Sequence, residues 1–430
     1  MPPNPIRADA PGLFASTPPG RNTPAKATCP KPPALPAPAI DTIAAATISF
    51  SGKNVMTQDF TLSRRSMLAV SAAGSAAMAG LFAPRAAAAA DPTCPDASSG
   101  EPWKSVKDIS AAGWSAEKVA KMEEKLYPMA TTSLAIVNKG EIVYRYGNIS
   151  DVNYLASARK SVLSMLFGKY VAEGKIDLDM TIGEIGIEED GGLLPLEKTA
   201  KVRNLLISSS GIYHPAGSPG GNENTPERGK TAPGSTFLYN NWDFNVLGAI
   251  FEKRTGRKIF EALQTDLAEP LGFQDYDIGR QRMMGYENQS RYLAYHLFLS
   301  ARDMAKLGQL MLQKGKWDGK TIIPEAWVSE STKMHVTPER TKSKEGLGYG
   351  YLWWIPTSTT PALKGSFLMN GNFGQFVLCM PAIDTVIVHR RAVTDEFAVA
   401  RNLGKTTYEP TKVNAAEFLQ IVEMAVASRT

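Results

Sequence analysis

Ser157 and Lys160 stand three residues apart at the head of the apolar run SVLSMLFGKYVAEG. In a helix, positions i and i+3 share one face. A serine hydroxyl is a weak nucleophile until a base takes its proton. A lysine can be that base once burial disfavours its charged form. A serine at a helix start also feels the positive end of the helix dipole. Ser-x-x-Lys is therefore a workable nucleophile and base without histidine. The pattern also arises by chance: Ser115-Ala-Glu-Lys118 reads as a helix cap followed by a solvated lysine. A cap is the plain alternative at Ser157 too. The residues after Lys160 separate the two cases. Val162, Leu163, Met165, Leu166 and Phe167 make the second helix apolar nearly all round. A polar pair at the head of such a buried helix is costly unless it is used.

Two further stretches carry candidate chemistry. PGSTFLYNNWDFNVLGAIFEKRTG contains Tyr239-Asn240-Asn241 ahead of an apolar helix expected from near Asp243. The Tyr and Asn either aim a phenol and an amide into a cleft or are loop residues that cap the helix. Met369-Asn370-Gly371-Asn372-Phe373-Gly374 precedes a strand hairpin. Glycines three apart at a strand edge permit close approach of a ligand or of another backbone; a bland glycine pair is the other reading.

These residues need elements to hold them. Ser115 to Tyr127 reads as a capped amphipathic helix, and Thr131 to Gly147 as a hairpin around Asn138-Lys139-Gly140. The Ser157 helix ends near Gly174. From Ile176 to about Gly285, helical segments alternate with Gly/Pro/Asn loops, the longest being Gly217 to Gly234. LSARDMAKLGQLMLQKG is a strongly amphipathic helix. Strand-like runs then return in GYGYLWWIP, GSFLMNG, FGQFVLCMP and DTVIVHRRA, and VNAAEFLQIVEMAVAS is the last helix. A sheet built from both ends of the chain around a helical insert is an α/β plus all-α architecture.

The chain has 430 residues, 43% of them hydrophobic, enough for a large core. Residues 1–55 read as a proline-rich disordered or spurious extension, with Met56 as an internal start. Residues 56–90 read as a signal peptide. Arg64-Arg65 precede a short Ala-rich apolar run and the small residues Ala86 to Ala90, a twin-arginine pattern with cleavage near Asp91. The expected location is periplasmic or secreted, with no stable membrane insertion after cleavage. Residues 1–90 hold eight Lys/Arg against three Asp/Glu, which is the whole net charge of +5. The remainder, 91–430, is formally neutral, so the basic pI is no sign of a nucleic-acid partner. Cys29, Cys94 and Cys379 and the four scattered histidines have no metal-ligand spacing, and no metal or cofactor is expected. A Cys94–Cys379 disulfide is possible but not favoured over a buried thiol at Cys379. There is no Gly-x-Ser-x-Gly elbow, and GKT at 229–231 lacks the upstream glycine of a P-loop. Oligomeric state is not legible.

The order Ser-x-x-Lys, Tyr-x-Asn, then a Gly-terminated triplet on a strand resembles the superfamily of serine β-lactamases, penicillin-binding proteins and esterases. It is most similar to class C β-lactamase-related hydrolases. KSVLSMLFGKYVAEGKIDLDMTIGE, NLLISSSGI and SARDMAKLGQLMLQKGKWDGKTIIPEAWV carry the likeness across about 110–425. ARKS and GNFGQ are similar to the branch of 6-aminohexanoate-dimer hydrolases and carboxylesterases. The resemblance implies a β-lactamase/transpeptidase-like fold: an antiparallel sheet flanked by helices, with a helical insert lobe over about 176–290. It implies a serine hydrolase that cleaves a small-molecule ester or amide through an acyl-enzyme, exported if residues 56–90 act as the signal peptide. A D,D-peptidase or β-lactamase is the alternative, and a non-catalytic sensor on the same fold is another. By the resemblance, Ser157 is acylated, Lys160 takes its proton, Tyr239 serves the leaving group and the deacylating water, and Asn241 orients Lys160. The N–H groups of Ser157 and Asn372 would form the oxyanion hole. Met369 and Gly371 fall on the substrate-binding strand, and Tyr213, Trp242 and Trp353 are candidate cleft walls or else packing residues. The family usually has Lys or His where Met369 stands. Its loss implies that carboxylate-bearing substrates are disfavoured, unless Arg390 or Arg391 supplies the cation.

Overall fold

Both faces of the strand SLAIVN are apolar, so it must be covered on both sides. Leu134 and Ile136 face one layer and Ala135 and Val137 the other, and all four are fully buried. In the computed structural model this strand, β1 (Ser133–Asn138), lies inside a seven-stranded antiparallel sheet. The other strands are β2 (Glu141–Gly147), β3 (Gly348–Tyr349), β4 (Trp354–Ile355), β5 (Phe367–Gly371), β6 (Gln375–Met380) and β7 (Thr385–Arg390). Their order is β2-β1-β7-β6-β5-β4-β3. The N-terminal hairpin is thus joined to the C-terminal strands through β1 and β7, as a sheet built from both chain ends requires. The structure describes residues 103–218 and 225–430, which belong to one compact unit, Ser98–Thr430. The expected N-terminal extension, signal peptide, Cys29 and Cys94 lie outside the described residues, as do positions 219–224 of the long loop.

Five longer helices enclose the core: α1 (Ala116–Leu126), α2 (Arg159–Ala172), α3 (Asn241–Thr255), α4 (Ala301–Leu312) and α5 (Ala415–Ala427). Helices α1 and α5 pack Met122, Leu126, Phe418 and Val422 on the face that carries Leu134, Phe376 and Ile387. Phe376 stacks on Phe418 with centroids 4.6 Å apart. Helices α2, α3 and α4 share the opposite core with Val137, Val377 and Val386. Two-sided covering explains why β1, β6 and β7 are buried along their whole length although antiparallel sheets often leave one face wet. Helix α4 lies close on the sheet because of Gly308, where a Cβ would come within 2.6 Å of Val386.

The insert over about 176–290 holds α3 and short helices at Ile182–Ile185, Val202–Leu206 and Ile259–Ala262. It runs into a small hairpin of Arg282–Met284 with Ala294–His296. Its Leu205, Val246 and Phe251 belong to the same core as Phe167 of α2. Helix α3 begins at Asn241, two residues before the expected Asp243, because the Asn240 side chain caps the Trp242 N–H at 3.0 Å. A helix at Asp395–Asn402, capped by Thr394, had no clear signature in the sequence. Cys379 is a buried free thiol. Among the described residues no helix is long and apolar enough to cross a membrane.

Candidate active site

Helix α2 is entered through a single 3-10 turn, Ala156–Ala158, that carries Ser157. Ala156 takes a left-handed φ of 48°, a conformation that costs a residue with a side chain on the order of 1–3 kcal/mol. The kink sets Ser157 half-exposed at the head of a helix whose first ten residues are all buried. Lys160, one turn on, is 2% exposed. Strand β5 backs onto the same turn at Gly371. A Cβ there would sit 2.4 Å from the Leu155 carbonyl oxygen and 2.9 Å from the Ala158 nitrogen. The expected close approach at this glycine is therefore between two backbones.

Tyr239 and Asn241 arrive on the segment that leads into α3. That segment is fastened to Ser208: the Ser208 hydroxyl donates to Leu238 O at 2.7 Å and accepts from Asn240 N at 3.1 Å. Asn240 Nδ2 donates to Ile212 O at 2.6 Å. The run NLLISSSGI is the clamp that places the tyrosine. Tyr239 also stacks on Trp354, 5.5 Å between centroids, and packs against Phe244 at 4.8 Å. The loop before β4 is tied to α2 by the Ser161 hydroxyl, which donates to Leu352 O at 2.7 Å.

These elements converge on one nitrogen. Lys160 Nζ lies 2.9 Å from Ser157 Oγ, 2.8 Å from Tyr239 OH and 2.9 Å from Asn241 Oδ1. It also sits 4.3 Å from the Tyr239 ring centroid and 4.2 Å from that of Phe244. Burial, and then the charge of Arg159, push the Lys160 amine well below the ordinary lysine value, so the neutral base is favoured. Burial pushes the Tyr239 phenol up to about 12, against the pull of its Ser157 contact and of Arg159. The site thus pairs an amine inclined to take a proton with a phenol inclined to keep one.

A family model described as Beta-lactamase matches residues 119–390, well over half of the chain. The chain belongs to the beta-lactamase family. This family member is 26% identical over 306 residues to a 6-aminohexanoate-dimer hydrolase of Paenarthrobacter ureafaciens, a match that covers 64% of this chain and 75% of the relative. A penicillin-binding protein homologue from Caulobacter crescentus aligns with a TM-score of 0.54 at 14% identity, over 76% of this chain and 98% of that one. EstCE1, a hydrolase with promiscuous acyltransferase activity, aligns with a TM-score of 0.52 at 17% identity, over 74% and 100%. These two establish the β-lactamase/transpeptidase-like fold, and the family is one of serine hydrolases.

Around Ser157 the beta-lactamase-family chain has a cleft of about 180 Å³, and not every residue expected there reaches it. Ser157, Tyr239, Asn241 and Asn372 line it. Met369 does not. It shares a strand face with Gly371, two residues on, but points deeper, into the core, and is fully buried. Gly371 acts through its backbone approach rather than as a wall. Trp242 is fully buried and donates to Glu189 Oε2 at 2.8 Å, because α3 is enclosed on all sides. Trp353 is core and packs edge-on against Phe367. Tyr213 is buried away from the cleft lining. Arg390 is no substitute cation: it is fully buried and bound to Gln375 Oε1 at 2.5 Å and Leu299 O at 2.7 Å. Arg391 borders a different hollow, beside Pro128 to Thr132.

The remaining lining residues are Tyr154, Ala156, Arg159, Ser218, His296, Arg401 and Asn402. Of these only Arg159 had a readable signal, a charge set inside a helix otherwise buried all round. Among the described residues no cluster of His, Cys, Asp and Glu could hold a metal ion.

Proposed function

We propose that this chain is an exported serine hydrolase that cleaves an ester or amide bond through an acyl-enzyme on Ser157. The observation that carries the reading is the three-way contact of Lys160 Nζ with Ser157, Tyr239 and Asn241, all at 2.8–2.9 Å. As the substrate carbonyl arrives, Ser157 Oγ bonds to its carbon and the hydroxyl proton passes to the neutral Lys160 amine. Negative charge then develops on the carbonyl oxygen, which the N–H groups of Ser157 and Asn372 stabilise from the cleft wall. The seating of Gly371 against the Ser157 turn supports this pairing of donors. When the carbon–oxygen or carbon–nitrogen bond breaks, the Tyr239 phenol donates its proton to the leaving group. Lys160, now charged, replaces that proton across the 2.8 Å contact. Water then attacks the acyl carbon and gives a proton back through Tyr239 and Lys160, and Ser157 is released. Asn241 holds the amine in line throughout.

Export rests on the twin-arginine pattern at Arg64-Arg65. The amide option rests on the relative named a 6-aminohexanoate-dimer hydrolase, since an amine and a carboxylic acid condense through an amide. The test is labelling by a fluorophosphonate probe, with p-nitrophenyl esters, nitrocefin, D-Ala-D-Ala peptides and linear amide oligomers screened on the same sample. Wild-type protein is expected to label at Ser157 and to turn over at least one ester or amide. Ser157→Ala should keep the fold and retain only the residual rate due to binding and the oxyanion hole. An unlabelled wild-type protein, or near-wild-type turnover by Ser157→Ala, would reject the mechanism.

A further inference from the structure

The described wall of the cleft is cationic. Arg159 and Arg401 line it, together with His296, and among the described residues no Asp or Glu does. Arg159 is 3% exposed, yet forms no ion pair among the described residues. Its contacts are Asn245 Oδ1, 3.3 Å from Nη2, and the face of Tyr295, 4.3 Å from Cζ. Its Nη1 has no hydrogen-bond partner among the described residues, and neither ring nitrogen of His296 has one. An arginine cannot shed its charge as a lysine can, and burying it without an anion is expensive. Such a side chain, two residues from the nucleophile, keeps one arm of its fork, Nη1, without an acceptor among the described residues. Arg401 stands on the same wall, with Nε 3.2 Å from the half-exposed Glu409 and its guanidinium over Phe373. Burial first, then the charge of Arg159, keep the His296 ring neutral, so it adds donor capacity without more charge.

We propose that Arg159 and Arg401 form a carboxylate subsite, and that the preferred substrate is an ester or amide bearing a carboxylate close to the scissile carbonyl. This rests on the hydrolase reading above. It reverses the expectation drawn from Met369: the cation absent from β5 is supplied by Arg159, the residue just before Lys160 on α2, and by Arg401. The planar guanidinium suits a carboxylate bidentately, which a neutral acyl chain in the same small cleft would leave unsatisfied.

The experiment compares kcat/KM for mono-p-nitrophenyl glutarate with that for p-nitrophenyl butyrate, which differ by one terminal carboxylate. Wild-type protein should favour the charged ester at least tenfold, the effect of one charge-assisted hydrogen bond. That ratio should collapse toward one in Arg159→Gln. Should the buried substitution fail to fold, Arg401→Gln, at a partly exposed position, should lower the ratio severalfold. A wild-type ratio near one, or a ratio that persists in both variants, overturns the proposal and leaves Arg159 as an electrostatic neighbour of Lys160. Labelling of Ser157 with a ratio near one defeats this inference alone. An absence of labelling defeats the hydrolase reading. In that case titration of monomethyl glutarate against dimethyl glutarate into Ser157→Ala protein still decides the subsite, because it needs no turnover. Tighter binding of the anion supports the subsite, and equal binding rejects it.

Discussion

Replacing Gly371 by alanine should disable the site without removing any group that takes part in chemistry. The added Cβ would lie 2.4 Å from the Leu155 carbonyl oxygen and 2.9 Å from the Ala158 nitrogen, both backbone atoms. Neither can swing aside as a side-chain tip can. Restoring ordinary contact requires strand and turn to part by about 1 Å, and that turn carries Ser157. A displacement of this size between the nucleophile and its oxyanion donors corresponds to roughly a hundredfold loss of rate. The overpacking itself should cost about 1–3 kcal/mol of stability. A matched control separates the two effects. Gly308→Ala meets Val386 at 2.6 Å, a contact of similar length, but between α4 and β7 rather than at the Ser157 turn. The assay is kcat/KM on the best ester together with urea unfolding followed by circular dichroism. Both variants should lose comparable stability, and only Gly371→Ala should lose about two orders of magnitude in kcat/KM. Activity within threefold of wild type in a folded Gly371→Ala protein would refute the claim that β5 and the Ser157 turn are set against each other for catalysis.

Lys160→Arg should match Lys160→Ala within about tenfold in kcat, since arginine stays protonated and cannot act as base; retention of more than a tenth of wild-type kcat would reduce Lys160 to an electrostatic support. His389 is buried in the sheet, and burial lowers it to about 4 from 6.5, so the folded state holds it neutral while the unfolded chain takes up the proton. Stability should therefore fall as pH drops from about 6.5 to about 4, by on the order of 3 kcal/mol from this group, and His389→Gln should flatten that part of a denaturation-versus-pH curve. Replacing Arg64-Arg65 by Lys-Lys should block export by the twin-arginine route, as read by cell fractionation and N-terminal sequencing near Asp91; undiminished export would indicate an ordinary secretory signal.

The local elements were largely legible because their signals are local. Ser115 caps α1, Ser300 caps α4, and the strand runs near the C-terminus all form. That Ser157 and Lys160 meet was expected from a polar pair at the head of a buried helix, whereas the approach of Tyr239 and Asn241 to them was expected only through the family resemblance. The cleft wall was not, since it comes from distant segments: Ser218 from a loop, His296 from the end of a small hairpin, Arg401 from an unforeseen helix. Trp242 was misplaced because an apolar residue near a site residue gives no sign of which way it points. Met369 shows the opposite case. Its parity with Gly371 was readable, and with β5 backed onto the Ser157 turn that parity sends the side chain into the core.

The four functional groups do not share one scaffold. Ser157 and Lys160 belong to a single rod, whereas Tyr239 and Asn241 are held by the clamp at Ser208. On the proposed mechanism, local opening of that clamp would leave Ser157 and Lys160 in place but take away the Tyr239 phenol that is to protonate the departing group. Activated esters, whose leaving groups depart without help, would outlast amides as the protein is loosened by mild denaturant. The order in which substrates are lost would then trace the opening of one segment, measurable beside the hydrogen-exchange protection of residues 205–212.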